Sequence, residues 1–359
     1  MARPLHRLLT LSVVIGHLDL DAFYAAVEEL EHPELRRIPL VVGGDPRGRG
    51  VVATANYEAR KFGIRSAMSS AEALRRCPQV VFVRPRHSVY REYSRAVWDV
   101  VQSIVPAVER TGLDEGYLDL GDFGRARPLA EAVQTAVRGS TSLTCAIGVG
   151  SSKTVAKIAS DRRKPGGLTV VPPGREANFL APLDVRLLPG LGPRTEERLR
   201  ALGIDTLGSL AGLDDDQLRS VLPGKVGRLL RDRARGVDPR GIEPPAEAGS
   251  ISTEETFPRD LSDREALHDE LRRMAEQLAG HLVSSGRSAR TITTKIRYQD
   301  FSIRSRSTTL VAGTDDAARL GELACSLLDR ALRDRPGALR LVGVAVSNFE
   351  PYRQLTLGH

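Results

Sequence analysis

The chain has 359 residues, 41% hydrophobic and 27% charged, with 52 Lys and Arg against 45 Asp and Glu, for a net charge of +7. That composition belongs to packed globular domains, that length calls for two to four of them, and the basic excess favours a polyanionic partner. The three cysteines, Cys77, Cys145 and Cys325, lie far apart without a CxxC pair, which argues against a disulfide framework or a zinc site.

The apolar run from 8 to 15 is far shorter than the ~20 residues of a membrane span, so it reads as a core strand in a soluble, cytoplasmic protein. "SVVIGHLDL" predicts a strand, and "AFYAAVEEL" a helix with Phe23, Val27 and Leu30 on one face. Residues 38–55 predict strand around the turn "GGDPRGRG". "SSAEALRRCP" predicts a short helix with a Ser69 to Glu72 capping box and a stop at Pro78. Helix "WDVVQSIV", strand "GLDEGYLDL", helix "LAEAVQTAV" and strand "LTCAIGVG" together predict an α+β layer with helices on one face of a sheet.

Strand signals disappear from 176 to 238, where "LLPGLGPRTEERLRALGI" predicts helix, tight Gly turn and helix within an all-helical module. "DPRGIEPPAEAGS" is then a Pro- and Gly-rich linker. The remainder predicts the order βαββαβ. Its first helix opens on a Ser262 to Glu265 capping box and carries the stripe Leu267, Leu271, Met274, Leu278 and Leu282. Strands 290–298 and 302–310 follow.

Asp114 and Glu115 are adjacent in an apparent strand and would repel if both are ionised. Together with Asp19 on another strand they make sense around divalent cations, hard ions that take oxygen ligands and cancel the repulsion. Spacing does not choose between Asp19 and Asp21, which share a face by the strand period. From Ser284 to Arg306 there are six basic residues and one acid. Period two places Thr293, Lys295 and Arg297 opposite the apolar Ile292, Ile296 and Tyr298. Arg304 and Arg306 are expected to extend that basic face on the next strand, a surface for phosphates whose binding falls steeply with salt.

In their order, "HLDLDAFYAAVEE", "VVATANYEARKFGIRSAMSSAEA", "GLDEGYLDL", "AIGVGSSKTVAKIASDRRKPGG" and "LPGLGPRTEERLRALGI" resemble a Y-family DNA polymerase of the DinB (DNA polymerase IV) type, over residues 14 to 350. The resemblance implies a right hand: palm 1–20 and 86–175, fingers 21–85, helical thumb 176–238, linker 239–249, little finger 250–352 and a tail 353–359. It implies a template-directed, distributive, low-fidelity translesion polymerase without proofreading, acting as a monomer on primer-template DNA and dNTP. Asp19, Asp114 and Glu115 look like its catalytic acids, holding with the Leu20 carbonyl two Mg²⁺ ions for which Mn²⁺ substitutes, and Asp21 is structural.

Phe23, Thr54, Tyr57, Arg60 and Lys164 fall to the nucleotide, with Tyr24 as the steric gate against ribose. Gly190 and Gly192 belong to a helix-hairpin-helix on DNA, with a poorer second version at Lys225 and Arg228. Lys295, Arg297, Arg304 and Arg306 are the little-finger contacts. Gln354, Leu355 and Leu357 resemble a sliding-clamp motif at 354–357 that lacks its final Phe and is weakened. Where this family has "SIDEAYLD", Gly112, Leu113 and Gly116 stand here, and glycine loosens a strand. A catalytically weak or inactive DNA-binding or scaffold protein of the same fold is the alternative, against which the retained acids argue.

Overall fold

The computed structural model describes residues 14–222, 224–243 and 247–351. They form two compact units, one of residues 14–46 and 50–243, the other of residues 47–49 and 247–351. The clamp-like residues 354–357 lie outside the described residues.

The first unit starts with β1 (Ile15–Leu20) and α1 (Phe23–Glu31), followed by β2 (Leu40–Gly43), β3 (Val52–Ala55), the one-turn α2 (Tyr57–Arg60), α3 (Ser70–Arg76) and β4 (Val81–Val83). Next come α4 (His87–Ile104), β5 (Val108–Arg110), β6 (Glu115–Asp119), α5 (Phe123–Thr141), β7 (Cys145–Gly150), α6 (Lys153–Ser160) and β8 (Leu168–Val170). Five short helices close it: α7 (Glu176–Leu180), α8 (Pro193–Arg200), α9 (Leu207–Ala211), α10 (Asp215–Val221) and α11 (Lys225–Ala234).

The main sheet has the order β5-β6-β1-β7-β8, and a three-stranded sheet the order β3-β2-β4. β1 is central and buried along its whole length, with only His17 and Asp19 breaking its apolar sequence. Strand alternation sends Leu18 and Leu20 into a core shared with Trp98, Val101, Val133 and Val137 of α4 and α5. His17 and Asp19 point the other way, to Ser160 and Lys157 of α6. Helices therefore cover both faces rather than the one expected. α6 comes so close to β7 that a Cβ at Gly148 would lie 2.1 Å from the Ala156 carbonyl oxygen, so only glycine fits there.

Three local expectations change. Ser69 Oγ does accept from the Glu72 amide, but the Glu72 carboxylate is taken by Arg75 and Arg76, leaving half a capping box. The first arm of the Gly turn is a single 3₁₀ turn, Val185–Leu187, too short for an α-helix because Pro189 and Gly190 follow at once. In the second unit, Asp263 rather than Ser262 caps the first helix, accepting from the Glu265 and Ala266 amides.

That unit runs β9 (Ser250–Leu261), α12 (Arg264–Ser284), β10 (Arg287–Tyr298), β11 (Ile303–Thr314), α13 (Ala317–Asp334) and β12 (Leu339–Pro351), the expected βαββαβ order. Its antiparallel sheet, ordered β11-β10-β12-β9, packs Ile292, Ile296, Val342, Val344 and Val346 against the stripe of α12 and the inner face of α13. Truncating a fully buried member such as Leu271 to Ala removes about 2–5 kcal/mol. Lys295 and Arg297 lie on the opposite, open face, as period two requires.

Arg304 and Arg306 do not. Register pairs Arg304 with Ile296 and Arg306 with Thr294, and directly opposed residues share a face, so both arginines stand on the helix side of the edge strand. Arg306 is paired there with Asp334 of α13. The residues beside Lys295 and Arg297 on β11 are Ser305 and Ile303.

Candidate active site

β1 and β6 run antiparallel with Asp19 directly opposite Glu115. The Leu20 amide donates to the Asp114 carbonyl at 2.9 Å, which ties the end of β1 to the residue before β6. Asp114 therefore sits in the bend that leads into β6 and not inside the strand, and the two neighbouring carboxylates need not alternate across a pleat.

Lys157 on α6 reaches between Asp19 (3.1 Å) and Glu115 (2.6 Å), and Lys164 places a second ammonium 2.7 Å from Asp19. Burial works against a charged Asp19, but Lys157 and Lys164 outweigh it and hold the carboxyl below the ordinary range. Asp114 goes the other way: burial, then the charge of Asp19, push its carboxyl upward. Among the described residues Asp114 forms no ion pair. Buried His17, beside Lys157, is lowered to about 3 and is neutral.

Among the described residues no three His, Cys, Asp or Glu side chains form a ready-made metal cage. The donor set nevertheless fits hard divalent cations. Three carboxylates meet at one sheet end, and Asp114, the one without a cationic partner, is disfavoured as an anion by burial and by the charge of Asp19, which a divalent ion would offset.

A small cleft beside them is lined by Asp19, Leu20, Phe23, Thr54, Arg60, Asp114 and Lys164, singled out from sequence, and by Ala22, Ala53 and Ser66, which were not. In a larger hollow of about 650 Å³ between the ends of α4 and β6 and the start of α5, the two acids, Asp119 and Asp122, accept from the Gly121 and Gly124 amides. Tyr57 and Arg60 share the one-turn α2, capped by Asn56, with the guanidinium 4.9 Å from the Tyr57 ring centre. The Tyr57 hydroxyl donates to Asp21 at 3.2 Å. Asp21 also accepts from Thr144 Oγ1 and the Gly166 amide, so its carboxylate is spent on tying three segments together.

Tyr24 is half-buried at the start of α1, stacked on Tyr90 with ring centres 4.2 Å apart and planes 14° off parallel. Tyr90 in turn donates to Glu28, a fully buried carboxylate gripped by Arg86. Lys157 and Glu28 were not singled out from sequence, because a Lys and a Glu inside amphipathic helices read as solvated positions. The one signal for Lys157 was its place on the helix just after an apolar strand.

Farther along this unit, Gly190 has φ of 90°, and Gly192 precedes α8, whose first residue is Pro193. Lys225 and Arg228 lie on α11 behind Gly224. In the other unit, Lys295 is 2.8 Å from Glu254 on the open sheet face.

The impB/mucB/samB family model matches residues 18–161, its C-terminal domain residues 248–357, and the family's HHH motif residues 173–204. The DNA polymerase IV of Dehalococcoides mccartyi (strain CBDB1) is 40% identical over 96% of this chain and 89% of that protein. The DNA polymerase IV of Streptomyces coelicolor is 42% identical, covering 95% and 72%. A Y-family DNA polymerase chimera built on Dbh superposes with a TM-score of 0.85 at 27% identity, over 93% of this chain and 98% of that one. The insertion ternary complex of Dbh DNA polymerase gives 0.67 at the same identity and coverage.

Proposed function

This chain belongs to the impB/mucB/samB family of Y-family DNA polymerases, and from that premise we propose how its own residues carry out the reaction. It is a translesion DNA polymerase that depends on divalent metal and works on primer-template DNA with dNTP. Asp19, Asp114, Glu115 and the Leu20 carbonyl would hold two Mg²⁺ ions, or Mn²⁺ in their place. Such ions, when bound, make the primer 3′-hydroxyl a better nucleophile and neutralise the triphosphate.

The rest is the work of side chains. Lys164 and Arg60 bind phosphate oxygens, one as a point charge and one as a fork, with Tyr57 and Thr54 beside them. Phe23 backs the cleft from the core, and the Tyr24 ring meets the sugar at its 2′ position. Lys157 keeps Asp19 and Glu115 facing one another. Gly190 and Gly192 bring backbone amides to a phosphate, and Lys295 and Arg297 add charge without reading sequence.

Residues 1–20 and 86–175 serve as palm, 21–85 as fingers, 176–238 as thumb and 250–352 as little finger, joined through 239–249. None of these segments serves proofreading, which fits a monomeric, distributive, low-fidelity enzyme of the cytoplasm. Residues 354–357 would give only a weak sliding-clamp contact.

The meeting of Asp19 and Asp114 in a cleft that also holds Arg60 and Lys164, with Glu115 directly opposite Asp19 on the next strand, supports this reading most. Primer extension on plain and lesion-bearing templates is expected to follow the template, to stop on chelation and to return with Mg²⁺ or Mn²⁺. Intact DNA binding without extension would instead favour a scaffold protein. Lys157→Met leaves Asp19 facing Glu115 without their shared ammonium, and should lower stability by about 1–3 kcal/mol. A thermal midpoint equal to wild type would rule out that role.

A further inference from the structure

The bend that presents Asp114 is fastened through three consecutive carbonyls. The Asp114 carbonyl takes the Leu20 amide, and the Glu115 carbonyl takes the Thr111 and Gly112 amides and the Thr111 hydroxyl. The Leu113 carbonyl takes two donors from α4, Ser94 Oγ at 2.5 Å and Trp98 Nε1 at 3.1 Å. Ser94 and Trp98 are one helical turn apart and both fully buried, so neither donor has water as an alternative.

The same indole is one of two obstacles that keep a side chain off Gly116. This glycine faces α4, and a Cβ there would lie 2.7 Å from the far corner of the Trp98 ring and 2.7 Å from the Glu109 carbonyl oxygen. The ring fills the space in which an ordinary strand residue keeps its first side-chain carbon.

We infer that Trp98 is a positioning residue for the catalytic acids: its Nε1–H, with Ser94, fixes the Leu113 carbonyl, and its ring shares with the Glu109 carbonyl the space that a Cβ at Gly116 would need. This rests on the proposed roles of Asp114 and Glu115. On this view, Gly116 does not loosen the strand; a rigid indole packs against it. Trp98 touches no reacting atom, so its effect should appear in kcat.

Trp98→Phe keeps an aromatic ring and removes both the N–H and the corner that meets Gly116. Its kcat is expected to fall about tenfold, with KM for dNTP and affinity for primer-template within about twofold, since sub-ångström misplacement acts on the chemical step. Ser94→Ala should lose kcat in the same way, and because Trp98 is the sole tryptophan, its emission reports whether that variant is folded. Gly116→Ala should cost about 10²-fold in kcat when Trp98 is intact and at least about twofold less when combined with Trp98→Phe, which removes the ring's share of the clash and leaves that of the Glu109 carbonyl.

Wild-type kcat in both Trp98→Phe and Ser94→Ala would overturn the inference. So would a uniform fall of kcat, dNTP affinity and DNA affinity with a lowered thermal midpoint, which marks a merely structural role. Equal cost of Gly116→Ala in the two backgrounds would remove the Trp98 and Gly116 coupling. An active Asp114→Ala control would instead sink the underlying reading of the acids. An inactive control beside fully active Trp98→Phe and Ser94→Ala would sink only the inference.

Discussion

Asp114→Ala is expected to lower the rate of nucleotide addition by more than ~10³-fold, about 4 kcal/mol of transition-state stabilisation, while primer-template affinity stays within about twofold. Among the three acids this is the cleanest to remove. Asp19 carries two ammonium groups and Glu115 one, so deleting either takes an ion-pair partner from a half-buried lysine and mixes a catalytic loss with a change in stability. Asp114 forms no ion pair among the described residues, and its carboxyl is pushed up by burial and by Asp19. Its removal relieves repulsion, so the thermal midpoint should hold or rise as activity vanishes. Single-turnover extension beside a DNA-binding titration separates the two effects. Extension at a rate comparable to wild type would take Asp114 out of the site.

That contrast depends on partners the sequence did not advertise. Apolar periodicity located β1 and the βαββαβ order, because a buried strand or an amphipathic helix must write its burial into its residues. The acid pair stood out for the opposite reason, since adjacent carboxylates near an apolar strand are unfavourable without a cation, while the choice of Asp19 over Asp21 came from the family resemblance. Lys157 and Glu28 are charges drawn out of water by partners distant in the chain, and nothing in the sequence names those partners. Arg304 and Arg306 show another limit. Period two fixes faces within one strand, but which face of β11 matches which face of β10 is decided by hairpin register, here Thr294 to Arg306 and Ile296 to Arg304. Gly116 read as a weakness because its missing side chain was visible and the indole occupying that space, 18 residues earlier, was not.

Tyr24→Ala is expected to raise ribonucleotide incorporation relative to deoxyribonucleotide by at least about tenfold, with deoxyribonucleotide addition much less affected, since a 2′-hydroxyl is the only group that distinguishes the two substrates. A ring excludes a hydroxyl only if it cannot yield. Tyr24 is backed by the parallel face of Tyr90 at 4.2 Å, and Tyr90 is anchored through Glu28 to Arg86. Swinging the ring aside would break that stack, so the added oxygen meets a wall instead of a mobile side chain. The stack uses the ring and not the phenol oxygen, so Tyr24→Phe should discriminate like wild type. Paired dNTP and rNTP extension by the three proteins decides between a ring effect and a hydroxyl effect. If Tyr24→Ala keeps the wild-type ratio, the wall lies elsewhere; if Tyr24→Phe loses it, the hydroxyl and not the ring makes the selection.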